Sequence, residues 1–93
     1  MTEESPYELV LTPPAARAIA ERLPEAVATA VIDFLTTGLV ANPHRTGKPL
    51  SEDLAGIWSA RRGTYRVLYR INEDAREVIV LRVEHRRDAY RPM

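Results

Sequence analysis

The chain has 93 residues, of which 45% are hydrophobic, and this length allows one small globular domain. It contains no cysteine, which excludes disulfide bonds and thiolate metal sites and is typical of a reducing compartment. The formal net charge at pH 7 is zero, but residues 1–41 carry −4 and residues 42–93 carry +4.

This charge asymmetry predicts that the C-terminal half meets a polyanion or an acidic partner. Twelve of the thirteen basic residues are arginine, whose rigid fork of donors suits phosphate and carboxylate groups. The first five residues include two glutamates and no basic residue, and no apolar run follows them, so we expect no signal peptide. The longest apolar stretch is far shorter than a membrane span. We therefore expect a soluble, cytoplasmic protein that makes no membrane contact.

The first predicted elements are a strand and two helices. Residues 7–11 alternate and favour a strand. Thr12 and Pro13 form a helix start, with a capping hydroxyl followed by a proline. Pro24 ends this helix and opens a second one, for which Gly38 is the predicted stop. The two helices, joined tightly, are expected to form an αα-hairpin.

The second half predicts a loop and then three strands. Residues 42–54 are polar and rich in turn formers, and the strand-like runs cover residues 56–61, 64–71 and 77–84. Two short turns, Gly63-Thr64 and residues 72–74, favour an antiparallel meander. The whole chain, residues 1–93, is therefore interpreted as one α+β domain of order β-αα-βββ. Its mainly antiparallel sheet is expected to carry the helical hairpin on one face.

Side chains alternate along a strand, which separates the predicted core from the predicted functional surface. Tyr65, Val67 and Tyr69 share one face of their strand, and Arg66 and Leu68 share the other. With Trp58, these tyrosines are expected to belong to the core. The last strand is expected to place Ile79, Leu81 and Val83 opposite Val80, Arg82 and Glu84. Across the sheet, the alternation can group Arg61 and Arg66 on one surface. Whether Arg82 joins them stays open, because a bulge would change the face of any of these residues.

Two histidines are candidates for proton transfer near neutral pH. His85 lies at the end of the last predicted strand, next to Arg86. His44 lies in the predicted loop beside a proline and is expected to be solvated. Two histidines without cysteine argue against a zinc site, so no metal or other cofactor is predicted.

Three segments together resemble a known family. They are Asn-Pro-His-Arg-Thr-Gly-Lys-Pro-Leu (residues 42–50), Gly-x-Trp-x-x-Arg-x-Gly-x-Tyr-Arg-x-x-Tyr (residues 56–69) and His-Arg-Arg-Asp-Ala-Tyr-Arg (residues 85–91). The chain resembles the RelE/ParE superfamily of type II toxin–antitoxin toxins, and most closely the RelE-like branch of actinobacteria. The resemblance implies a ribosome-dependent mRNA endonuclease that cuts codons in the ribosomal A site and inhibits translation. No metal is needed, because the RNA 2′-hydroxyl attacks its adjacent phosphate.

The resemblance also implies roles for individual residues. Arg66 would stabilise the phosphorane, His85 and Arg86 would act on the leaving group, and Tyr90 would stack on or orient the substrate. Lys48 lies near a position where some members hold an acidic or basic residue. The RNA-binding set would be Arg45, Arg61, Arg62, Arg82 and Arg87. The archetypal member has lysines where this chain has Ile57 and Ser59, so the general base stays open, with His85 preferred to Lys48.

Two other functions share parts of this pattern. A ParE-like toxin would inhibit DNA gyrase by binding it, and a non-catalytic homologue would bind RNA or the ribosome through the basic half alone. The partners implied by the resemblance are a cognate antitoxin that folds on binding, the ribosome and mRNA. Operator DNA would be bound only through the toxin–antitoxin complex.

Overall fold

A computed structural model of the chain describes residues 6–51 and 54–85. Its strands are β1 (Glu8–Leu11), β2 (Lys48–Pro49), β3 (Trp58–Arg62), β4 (Tyr65–Asn72) and β5 (Glu77–His85). Its helices are α1 (Pro13–Arg17), α2 (Glu25–Asp33) and α3 (Pro43–Thr46). The predicted α+β class and the order β-αα-βββ are confirmed. The predicted loop of residues 42–54 is wrong in part, because it contains α3 and β2.

The two long helices each widen into a π-helical turn. α1 continues as the π-helical segment Ala18–Arg22, and α2 continues as Phe34–Leu39. The predicted stop at Gly38 is therefore wrong by one residue. The start of α1 is confirmed, since the Thr12 side chain accepts a hydrogen bond from the amide of Ala15.

The five strands form one sheet in the order β1-β5-β4-β3-β2. β2, β3, β4 and β5 pair antiparallel, and β1 pairs parallel with β5. Gly63 joins β3 to β4 in a two-residue turn, where its φ of 55° is readily accessible only to glycine. Thr12 donates its hydroxyl hydrogen to the β5 carbonyls and so fixes the start of α1 against the sheet.

One face of the sheet packs against the helices and forms the core. Val67, Tyr69, Val78 and Val80 are completely buried on this face, as is Val31 of α2. The prediction that the tyrosines of β4 belong to the core is confirmed, with Tyr65 8% exposed and Tyr69 0% exposed.

The face prediction for β5 is wrong in part. A register shift lies between Leu68 and Tyr69, because Leu68 pairs with Arg82 while Tyr69 pairs with Val80. Leu81 is thus an extra residue on β5, as in a β-bulge. Val80 and Val83 consequently point to the same, buried face, although simple alternation predicted opposite faces.

Candidate functional site on the open face of the sheet

The face of the sheet away from the helices, here called the open face, carries a row of charged residues. Arg61 of β3 is directly opposite Arg66 of β4, and Arg66 is directly opposite Glu84 of β5. Directly opposed residues of an antiparallel pair point to the same face, with Cβ atoms about 5 Å apart. The predicted grouping of Arg61 and Arg66 on one surface is therefore confirmed.

A second row lies beside the first on the same face. Lys48 is opposite Ser59, Ser59 is opposite Leu68, and Leu68 is opposite Arg82. Arg82 therefore shares the open face, and Lys48 joins it through the short strand β2. Two strand spacings and two residues separate Lys48 from Arg66, or about 12 Å between Cα atoms. This part of the open face thus carries four basic side chains, with the Glu84 carboxylate between Arg66 and Arg82.

The positive charges of the open face repel one another unless an anion lies between them. Like charges directly opposite each other on neighbouring strands destabilise a sheet, and Arg61 and Arg66 form such a pair. Within the structure, Arg66 is paired with Glu84: its Nε and Nη2 donate to Oε1 at 3.2 and 2.5 Å. Arg82 Nε lies 3.9 Å from the other carboxylate oxygen. Glu84 contacts Arg66 and Arg82 but not Arg61 or Lys48 in this set, so the surface keeps an excess of positive charge that attracts anions.

His85 lies on the other face of the sheet. Its partner across β4 and β5 is Tyr65, whose side chain is buried against α2 and whose ring lies 6.2 Å from that of Phe34. Arg66, one residue further along β4, points to the open face. The register therefore does not bring His85 and Arg66 together on one face, and the proton-transfer role of His85 stays a prediction from resemblance.

The remaining basic residues of the predicted RNA-binding set are dispersed. Arg62 is opposite Tyr65 and places its guanidinium carbon 4.7 Å from the centre of the Phe34 ring, where it covers the edge of the core. Arg45 is exposed on α3. Three predicted site residues lie outside the described residues: Arg86, Arg87 and Tyr90.

A second cluster, missed at the level of sequence, surrounds His44. The His44 ring contacts the Glu73 carboxylate through Nε2 and lies edge-on to Trp58, with centroids 5.5 Å apart. Tyr7 donates its hydroxyl hydrogen to Glu73 at 2.9 Å, and this bond is the main reason that the pKa of Glu73 is lowered. Arg76 lies over the Tyr7 ring. The expectation that His44 is solvated is confirmed, with 44% of its side chain exposed, and the cluster also joins α3 to the turn after β4.

Two kinds of feature are not found among the described residues. Within residues 6–51 and 54–85, no group of three or more histidine and acidic side chains is placed to hold a metal ion. In the same ranges, no helix is both long and apolar enough to cross a membrane. The chemistry that the open face supports is binding of anions by guanidinium groups.

Residues 9–90 match the family described as "ParE toxin of type II toxin-antitoxin system, parDE". The match covers most of the chain, and the chain therefore belongs to this family of type II toxins.

Particular relatives lie in the RelE-like branch, which confirms the resemblance seen in the sequence. Toxin RelE of Mycobacterium tuberculosis is 44% identical over 91 residues, covering 98% of this chain and 93% of the relative. Toxin RelG of the same organism is 48% identical over 86 residues, covering 92% and 98%. Among solved structures, a chain of the M. tuberculosis toxin–antitoxin complex RelBE2 superimposes with a TM-score of 0.85 at 46% identity. That comparison covers 88% of this chain and 100% of the other.

Proposed function

We propose that this toxin is a ribosome-dependent endoribonuclease that cleaves mRNA in the ribosomal A site and so inhibits translation. The observation that carries the proposal is the opposed pair of Arg61 and Arg66 on the open face, flanked by Lys48 and Arg82. Guanidinium groups at this spacing suit successive or shared phosphate oxygens of a single strand.

The proposed reaction is an internal transfer within the RNA. The 2′-oxygen attacks the adjacent phosphorus while the bond to the 5′-oxygen breaks, giving a 2′,3′-cyclic phosphate and a free 5′-hydroxyl. One proton leaves the 2′-hydroxyl and another reaches the 5′-oxygen. No metal or other cofactor is required for this reaction.

Arg66 is proposed to stabilise the pentacoordinate phosphorane, because its charge is fixed at all physiological pH values and it lies centrally on the open face. Arg61 is proposed to hold a neighbouring phosphate. For proton transfer the resemblance favours His85 and then Lys48, of which Lys48 shares the open face with Arg66. Arg86 and Tyr90 are proposed to act on the leaving group and the base, and Arg45, Arg62, Arg82 and Arg87 to contact RNA.

The test is cleavage in a purified translation reaction, with mRNA 5′ ends mapped by primer extension. Removing a group that stabilises the transition state costs about 10²–10³ in rate, so Arg66→Ala should lower cleavage at least about 100-fold. Arg70→Ala is the matched control, since Arg70 lies on the same strand about 13 Å away and its loss changes the net charge equally.

Ribosome-dependent cuts that persist in Arg70→Ala and vanish in Arg66→Ala would support the proposal. Full cleavage by a folded Arg66→Ala protein would overturn the assigned role of Arg66. Intact mRNA with the wild-type protein would overturn the nuclease proposal itself. A DNA-supercoiling assay would then test the alternative of gyrase inhibition, and ribosome binding would test a non-catalytic homologue.

A cognate antitoxin is the proposed protein partner. The relative in the RelBE2 complex, 46% identical to this chain, was solved with its antitoxin. An antitoxin segment with acidic side chains would complement the +4 half of the chain, and operator DNA would be bound only through that complex.

A further inference from the structure

The carboxylate of Glu84 lies among the basic side chains of the open face. It accepts hydrogen bonds from both Nε and Nη2 of Arg66 on one oxygen, and its other oxygen lies 3.9 Å from Arg82 Nε. The side chain of Glu84 is 25% exposed, compared with 41% for Arg66 and 66% for Arg82. The carboxylate is therefore the most enclosed member of this group.

The contact uses a particular edge of the Arg66 guanidinium. The Nε and Nη2 hydrogens lie side by side, and this edge can form a two-donor contact with a carboxylate or a phosphate. Glu84 occupies the edge in the structure. An RNA phosphate that binds Arg66 in the same way must therefore take the place of Glu84.

The backbone holds Glu84 in this competing position. Arg66 and Glu84 are directly opposite each other in the β4–β5 ladder, so their Cβ atoms stay about 5 Å apart as long as the sheet is formed. Arg82 lies two residues earlier on the same strand and contacts the carboxylate from the other side. Displacement must consequently occur by rotation of the side chains and not by movement of the strand.

We propose that Glu84 is a specificity-determining residue of the open face, a built-in competitor for the phosphodiester groups of single-stranded RNA. By occupying the edge of Arg66, it weakens binding of free RNA and leaves Arg66 available only to RNA that other contacts already hold in place. This inference rests on the proposed function for the identity of the ligand. The competition itself is a property of binding and can be measured without cleavage.

The experiment measures binding of a short, fluorescently labelled, fully 2′-O-methylated oligoribonucleotide by anisotropy at low ionic strength. The methyl groups remove the attacking hydroxyl, so affinity is measured without reaction. Glu84→Gln removes the charge and retains the shape, and Glu84→Asp retains the charge but withdraws the carboxylate from Arg66. Glu77→Gln on the same strand is the control for loss of one negative charge, since Glu77 lies about 23 Å away along β5.

Binding of the oligonucleotide exchanges the partly exposed Arg66–Glu84 ion pair for an Arg66–phosphate pair. Removing the Glu84 charge should therefore change the affinity for the oligonucleotide about fivefold. Glu84→Gln should bind the oligonucleotide about fivefold more tightly than the wild type, Glu84→Asp should fall between them, and Glu77→Gln should change affinity less than about twofold. Equal effects of Glu84→Gln and Glu77→Gln would overturn the proposal, because net charge would then explain both. Unchanged or weaker binding of the oligonucleotide by Glu84→Gln would also overturn the proposal. If Glu84→Gln lost cleavage at unchanged affinity, Glu84 would instead be assigned to proton transfer.

A measurement on the wild-type protein covers the case in which Glu84→Gln does not fold. The Nε–H resonance of Arg66, identified by its absence in Arg66→Lys, should shift when the oligonucleotide saturates the protein. A resonance that stays in place at saturation would overturn the proposal.

The failure of this inference is distinguishable from failure of the nuclease proposal. Tighter oligonucleotide binding by Glu84→Gln, combined with intact mRNA in the translation reaction, would leave the competition standing and remove the nuclease. Cleavage that depends on Arg66, combined with unchanged binding by Glu84→Gln, would support the nuclease proposal and overturn the competition by Glu84.

Discussion

The hydroxyl of Tyr69 makes the hydrogen bond whose loss is most directly predictable. Tyr69 is completely buried, and its hydroxyl donates a hydrogen bond to the backbone oxygen of Pro43 at 2.7 Å. Tyr69→Phe leaves the Pro43 carbonyl buried without this donor, at a cost of about 1–3 kcal/mol. For a domain of this size, about 2 kcal/mol lowers the unfolding midpoint by about 10 °C.

Thermal unfolding followed by circular dichroism at neutral pH measures this shift. Tyr65→Phe is the matched control, because Tyr65 lies on the same strand and face but its hydroxyl is 3.4 Å from the Ala30 oxygen. A hydrogen bond of that length should contribute little, so the control should shift the midpoint by only a few degrees. An unchanged midpoint in Tyr69→Phe, or an equal shift in both variants, would refute the reasoning.

Burial also raises the pKa of Tyr69 to about 12 from its ordinary value of 10.0. The phenol is neutral in both states below pH 10, so its contribution to stability is fully present there and is lost as the pH rises towards 12. The difference between these two pKa values corresponds to about 3 kcal/mol of stability. The near-ultraviolet absorbance difference between wild type and Tyr69→Phe should show ionisation near pH 12, or only on unfolding. Titration near pH 10 in the folded protein would contradict the buried environment.

Two further predictions concern neighbouring contacts. Gly47→Ala should destabilise the fold by about 1–3 kcal/mol, because the new Cβ would lie 2.7 Å from the backbone oxygen of Ser59. Urea unfolding measures this change. An unchanged free energy of unfolding would contradict the prediction and show that β2 shifts freely. The lowered pKa of exposed Glu73, due first to the Tyr7 hydroxyl and then to His44, means that its stabilising contribution is present above about pH 4.5 and lost in more acidic solution. The stability difference between wild type and Glu73→Gln should therefore shrink on acidification, and a difference independent of pH would contradict this.

Local patterns predicted the sheet strands and helices because the relevant signals are close in the sequence. The alternation of β4 identified its buried and open faces, and the short Gly63-Thr64 turn fixed the pairing of β3 with β4. The parallel pairing of β1 with β5 joins Glu8 to Glu77 and leaves no local signal. The bulge at Leu81 also breaks a period that the sequence alone shows as regular.

The residues of the candidate site could be predicted only where the pairing register of their strands could be predicted. Arg61 and Arg66 flank a two-residue turn, so their opposition follows from hairpin geometry. Glu84 was not predicted as the partner of Arg66, because the β4–β5 register depends on a longer turn. The environment of His44 depends on contacts with Glu73 and Tyr7, which are distant in sequence. The signal available in advance was the Arg82-x-Glu84 spacing, which places both charges on one face.

The parallel pairing of β1 with β5 has a consequence for the order in which the chain folds. β3, β4 and β5 are joined by short turns, whereas β1 must wait for a partner whose residues are made almost seventy positions later. During synthesis, the emerging N-terminal segment can form its helices but cannot complete the sheet. Because β5 also carries Glu84, the emergence of β5 from the ribosome allows the sheet to close and completes the open face in the same event. A chain released before β5 is made would therefore lack both the strand that joins β1 to β4 and the Glu84 carboxylate that pairs with Arg66.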